Sequence, residues 1–138
     1  MTSIPLKENL FREKMTAVRI VHAETGQLLG SANSMDFYPN TLSLFAIVDF
    51  FKIKPRTNYV LTVTVILPEN GANLLYATRV NLEEEKINYR DEQGYGLANG
   101  SFDFQLSLNT KTDCLLLFSL IDEEGNELDT AYNYFKFI

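Results

Sequence analysis

Apolar residues in this chain recur at every second position, in short runs broken by turns, and that period restricts the fold more than any other feature. In Ser101–Leu108, Phe102, Phe104, Leu106 and Leu108 alternate with Ser101, Asp103, Gln105 and Ser107. In Thr57–Leu67, Leu61, Val63, Val65 and Leu67 share one face, and Val60, Thr62, Thr64 and Ile66 share the other. A period of two belongs to a pleated strand with one face on a core, and β-branched residues suit that half-buried surface.

The runs are separated by reversals of one type. Glu24-Thr25-Gly26, Glu69-Asn70-Gly71 and Glu123-Glu124-Gly125 each follow an apolar run and precede one that opens on Leu28, Leu74 or Leu128. Glycine at the last position supplies the positive φ that a hairpin turn or its bulge requires, so three β-hairpins are expected. Further reversals fall at Lys54-Pro55-Arg56-Thr57 and at Asn109-Thr110-Lys111-Thr112. About eight strands follow, at roughly 15–22, 27–32, 42–53, 57–67, 73–81, 101–108, 113–121 and 128–137. Short strands at this spacing specify an all-β fold, an antiparallel β-sandwich of immunoglobulin-like or jelly-roll-like type.

The stretch 40–52 also fits a helix, since Leu44, Ile47, Val48 and Phe51 fall at helical spacing; the β-favouring Val48, Phe50, Phe51 and Ile53 decide for a strand. Leu42–Phe51 and Cys114–Ile121 are apolar on both faces. A sandwich strand needs one apolar face, so something must cover the second: the amino-terminal segment, the long loop after Leu82, or another subunit. Residues 1–14 read as a tail or short docked segment ahead of a single domain over 15–138. Residues 83–100 read as a long loop, with a short edge strand at Lys86–Arg90 as an option; loops beyond about 12–15 residues in compact domains are usually functional or mobile.

The composition excludes more than it specifies. At 138 residues the chain can bury a core without staples, and 12 basic against 18 acidic residues leave a net charge of −6. Bulk charge therefore argues against nucleic acid or anionic membrane as a partner. The amino terminus lacks the pattern of a secretory signal, no apolar run approaches the ~20 residues of a membrane-spanning helix, and Cys114 is alone, which together favour the cytoplasm.

Chemistry-bearing constellations are few. His22 is the sole imidazole, at a strand end with no Gly-x-Ser-x-Gly elbow anywhere, and it reads as an ordinary surface histidine. Cys114 opens an apolar strand and reads as a small core hydrophobe. One His and one Cys all but rule out zinc, and no EF-hand loop occurs. Strand parity over eight alternating strands puts the Glu24 and Glu123 turns at one end and the Glu69 turn at the other, leaving a two-turn calcium site as the remaining metal option. Asp49 and Asp103 could form a carboxylate pair only if a cleft held them about 5–9.5 Å apart. Gly94-Tyr95-Gly96 lacks the lysine and helix of a phosphate cradle. Lys52, Lys54 and Arg56 form one weak basic cluster, better suited to blunting a sheet edge.

No catalytic set, cofactor site or metal site is expected. The reading is a non-catalytic protein-interaction or assembly module, self-associating, with Phe37, Tyr38, Tyr89, Tyr95, Tyr132 and Tyr134 as its possible interaction surface. The alternative is a small-molecule binder, a β-sandwich or barrel with a Phe/Tyr-lined pocket. The aromatic carboxyl end Tyr132–Ile138 is either a final strand of the domain's own sandwich or a strand docked on a neighbour.

Overall fold

A computed structural model describes residues 4–138. The expected alternation sorts into eight strands: β1 (Lys14–His22), β2 (Ala32–Asn33), β3 (Asn40–Ile53), β4 (Tyr59–Leu67), β5 (Gly71–Val80), β6 (Gly96–Leu108), β7 (Thr112–Ile121) and β8 (Glu127–Phe137). They form two sheets, one with the order β1-β3-β6 and one with the order β2-β8-β7-β4-β5. All pairings are antiparallel except β2 with β8, which is parallel. Three strands on one side, β4, β7 and β8 adjacent on the other, and an early segment crossing to pair in parallel with the last strand make an immunoglobulin-like sandwich rather than a jelly roll.

One side chain in two from each central strand fills the space between the sheets. β3 contributes Leu44, Ala46, Val48 and Phe50, and β6 contributes Phe104, Leu106 and Leu108. They meet Leu61, Val63 and Val65 of β4 and Cys114, Leu116, Phe118 and Leu120 of β7. Aromatic contacts close the middle: Tyr76 stacks on Phe102 at 5.0 Å, and Phe104 meets Phe118 edge-on at 6.3 Å. Residues 40–52 are strand, as the β-branched and aromatic content dictates, because β3 pairs on both edges, with β1 and with β6.

The expected strand at 27–32 is reduced to one bridge, Val21 with Leu28, followed by the two-residue β2. That segment has no alternation to sustain pairing; only Leu29 is buried. The chain instead leaves the first sheet and lies beside β8, where the Lys136 amide donates to the Ser31 carbonyl at 2.7 Å and the Ile138 amide to that of Asn33 at 2.9 Å. The aromatic terminal strand therefore closes the domain's own sandwich. Losing one full strand also reverses the parity of every later one. The start of β1 lies beside the start of β8, since Lys14 Nζ reaches the Leu128 carbonyl at 2.8 Å. The Glu123 turn thus sits at the end of the sandwich where β1 and β4 begin, and the Glu24 and Glu69 turns lie toward the opposite end. The expected pairing of the Glu24 and Glu123 turns is incorrect, and the two-turn calcium option falls with it.

The stretch expected as a loop over 83–100 is shorter and more ordered. Glu84–Lys86 form a single 3-10 turn, and β6 already begins at Gly96. The suspected edge strand at Lys86–Arg90 is one bridge, Asn88 with Leu97. A β-carbon at Gly96 would lie 2.4 Å from the Asn88 carbonyl oxygen and 2.7 Å from Ile87 Cγ2, so only glycine permits this approach of loop to strand. Asp91 pins the turn: its Oδ1 accepts from the Gln93 and Tyr95 amides at 3.0 Å each, and Lys52 Nζ lies 3.2 Å from Oδ2.

The expected effect of Gly96→Ala is a loss of about 1–3 kcal/mol in urea unfolding, since the clash is with backbone and a buried isoleucine. Gly30→Ala, where the new carbon would meet only a carbonyl oxygen at 3.7 Å, serves as the control and stays near wild type.

Candidate interaction face

Each central strand has a second row of side chains, and the two sheets treat theirs differently. On the outer face of the smaller sheet, Phe45 is flanked by Val21 and Asp103, Ile47 by Arg19 and Ser101, and Asp49 by Ala17 and Asn99. Arg19 Nη2 lies 3.5 Å from Asp49 Oδ2 across this face. Its apolar residues are thus separated by polar and charged neighbours.

The larger sheet carries no charged residue at its centre. Register places Tyr134, Leu115, Ile66 and Ala72 in one row across β8, β7, β4 and β5. The next row is Tyr132, Leu117, Thr64 and Leu74, followed by Thr130, Ser119, Thr62 and Ala77. Tyr132 and Tyr134 are 60% and 67% exposed with ring centroids 6.4 Å apart, and Leu74 is 64% exposed. Leu115, Leu117 and Ile66 are half-buried. A shallow groove lined by Ile66, Pro68, Leu115, Tyr134 and Phe135, and by the charged Asp113 and Lys136, lies at one end of this surface. Charge is confined to the margins. Lys136 and Asp113 pair at 3.5 Å at one end, and Arg79 and Glu127 stand at opposite corners of the other.

The remaining aromatics expected at an interaction surface are dispersed. Phe37 is exposed, and Tyr38 packs against the core with its hydroxyl donating to the Ile138 carbonyl at 3.4 Å. Tyr89 stands free at 86% exposure on the short turn before β6. Tyr95 is half-buried under the Arg12 guanidinium, 4.5 Å from its ring centre. Only Tyr132 and Tyr134 share a face, joined there by Ile66, Leu74, Leu115 and Leu117. The sequence holds the signal for Ile66, Leu115 and Leu117, as the second apolar parity of β4 and β7; Leu74 lies on β5.

A polar corner lies where residues 7–14 cross β8. Asp129, buried, pairs with Lys7 and accepts from the Met15 amide at 2.7 Å. Lys14 donates to the carbonyls of Leu128 at 2.8 Å and Arg12 at 3.1 Å. Burial lowers the Lys14 ammonium below its usual range, with the Asp129 carboxylate working in the opposite direction. These groups are occupied with one another and fasten the first segment to the last strand. His22 is half-buried at the end of β1, and Asp49 is taken up by Arg19. Burial pushes the Cys114 thiol up to about 11. No helix among the described residues is long and apolar enough to cross a membrane.

No protein-family model and no curated protein matches the chain by sequence. Two structures of a bacterial adhesin from Mobiluncus mulieris containing intramolecular disulfide, isopeptide and ester bond cross-links, in space groups P1 and P21, are similar in fold. Their TM-scores are 0.60 and 0.61 at 8% identity, over 92% and 91% of this chain. The chain spans 58% and 56% of the length of those adhesin chains. At that identity the likeness is one of architecture.

Cys114 is expected to resist Ellman's reagent near pH 8 in the folded protein and to react once the chain is unfolded. The raised thiol pKa also has a consequence for stability. The folded state holds this proton to higher pH than the unfolded state, so the thiol's contribution to stability falls as pH rises from about 9 to about 11. Rapid labelling of folded protein contradicts the packing described for β7.

Proposed function

We propose that this chain is a non-catalytic protein-interaction module whose working surface is the outer face of β8, β7, β4 and β5. One observation carries the reading: three adjacent strands present Tyr132, Tyr134, Leu115, Leu117 and Ile66 outward with no charged residue among them. Isolated exposed apolar residues are normal, but a contiguous patch rimmed by charge marks a docking surface. Tyrosine is suited to such a surface because it brings large contact area at low entropic cost and a hydroxyl that stays wet. The architecture shared with adhesin domains is compatible with this reading, since the sandwich presents broad flat faces.

The rival small-molecule reading needs a Phe/Tyr-lined cavity. The aromatic residues between the sheets are instead packed on one another, with Phe50, Phe118, Tyr59 and Phe137 almost fully buried. The proposed setting is the cytoplasm, favoured by the lone Cys114 together with the absence of a signal pattern and of a membrane-length apolar run in the sequence.

Leu117→Glu tests the reading. It places a carboxylate at the centre of the face on a half-buried, outward position, so the fold is expected to survive with a modest loss of stability. Wild-type chain isolated gently from its own host is expected to come with a stoichiometric protein partner, its own kind included, and the variant without. Equal recovery of partner by a folded Leu117→Glu variant would place the interaction elsewhere.

A further inference from the structure

We infer that the occupant of this face is a second copy of the chain, stacked sheet on sheet about a twofold axis that runs parallel to the strands between β7 and β4. The inference rests on the interaction reading above and adds the partner and its geometry.

A twofold axis parallel to the strands, lying between two stacked sheets, keeps each residue's height along the strands and reverses the order across them. The β8 side of one copy then lies over the β5 side of the other, twice, as an isologous interface requires. Side-chain size fits that operation. The face is high on β8, where Tyr132 and Tyr134 stand out, and low on the far side, where Thr62, Thr64, Ala72 and Ala77 lie. Leu74 is the one large side chain on that low side, level with Tyr132. Stacking reversed copies sets Tyr134 over Ala72 and Thr130 over Ala77, and brings Leu74 against the ring of Tyr132.

Charge agrees. Beyond the apolar rows, Arg79 pairs with Val60 on β5's edge and Glu127 pairs with Ile121 at the β8 end, and Val60 pairs with Ile121. They are therefore the two ends of one row, and the operation places Arg79 of each copy against Glu127 of the other. No carboxylate lies within ion-pair distance of Arg79 among the described residues, whereas Glu127 accepts from the Thr130 hydroxyl on the same face. A twofold axis across the strands instead would stack β8 on β8, crowding four tyrosines together and leaving the alanine strips apart. The Arg79–Glu127 match selects the first arrangement, and the low Ala72 and Ala77 opposite β8 agree with it.

The extent of the face sets the expected strength. Four strands about 4.8 Å apart and four rows about 6.8 Å apart give roughly 500 Å² in projection per copy. The two copies together bury about 1,000 Å², the lower limit for a specific interface, which suits a weak, reversible dimer rather than a permanent one.

The test is native mass spectrometry with sedimentation velocity on the full chain over a concentration series, with circular dichroism to verify folding of each variant. Wild type is expected to pass from monomer to dimer around micromolar concentration. Arg79→Glu and Glu127→Arg are each expected to weaken the dimer about tenfold or more, and Arg79→Glu/Glu127→Arg to recover most of that loss. Rescue of Glu127→Arg by Lys136→Glu in place of Arg79→Glu would overturn the axis between β7 and β4, as would a double variant no better than the single ones. A wild-type chain that stays monomeric well above micromolar concentration overturns the second copy as partner. If a heterologous partner sensitive to Leu117→Glu is then still recovered from the host, the interaction reading stands without it; if none is, both fall.

Discussion

Every strand of this domain has two faces, and the domain has one core. The inward faces of β3 and β6 are spent against those of β4 and β7, and the whole arrangement depends on that packing of Leu44, Val48, Phe50 and Leu106 against Leu61, Val63, Leu116 and Phe118. Burying each of these side chains contributes about 1.5–3 kcal/mol, enough to fix the register of every pair, because a slip by one residue would turn the row outward. With register fixed, the outward rows follow without freedom. In the smaller sheet they carry Arg19, Asp49 and Asp103, and in the larger they carry Leu115, Leu117 and Ile66. The apolar outer face is thus tied to the core by the same alternation. It is a feature that folding alone does not call for, since charged or polar residues on that parity would leave the core intact.

The amino-terminal segment and the last strand depend on each other in a second way. Asp129 sits on the inward parity of β8, where an apolar residue would be expected, and its buried carboxylate is satisfied by Lys7 and the Met15 amide. The parallel pairing of β2 holds the opposite margin of β8. β7 pairs with the aromatic strand along its length, and β2 holds its last residues, Lys136 and Phe137, which leaves Tyr132 and Tyr134 projecting from a paired strand. An interface built on such a strand orders few side chains on binding.

The strands were largely legible in the sequence because alternation and glycine turns are local signals. Gly71 and Gly125 do occupy positive φ at the β4–β5 and β7–β8 turns. Where the reading went astray, the deciding contacts are remote. Nothing near residues 27–32 tells that their partner is the end of the chain, and that one crossing reversed the inferred ends of all later turns. The closeness of Gly96 to Asn88 and Ile87 is likewise a packing fact, invisible until β6 is placed beside the loop. Of the aromatics singled out at the start, Tyr132 and Tyr134 share a face because they are two apart on one strand. Tyr89 and Tyr95 diverge because the turn around Asp91 sends one to solvent and folds the other beneath Arg12. The double-sided apolar character of Cys114–Ile121 was the most informative clue, since its second parity, Leu115 and Leu117, lies half-buried on the outer face of the sheet.

The most direct test of docking on that face is hydroxyl-radical footprinting of tyrosines in the native assembled protein, read residue by residue. Tyr132 and Tyr134 are 60% and 67% exposed in the single chain, and Tyr89, at 86%, is the internal standard. The account predicts strong modification of Tyr89 with Tyr132 and Tyr134 protected, and loss of that protection on Leu117→Glu. Modification of all three tyrosines in proportion to their exposure in the isolated chain would contradict it.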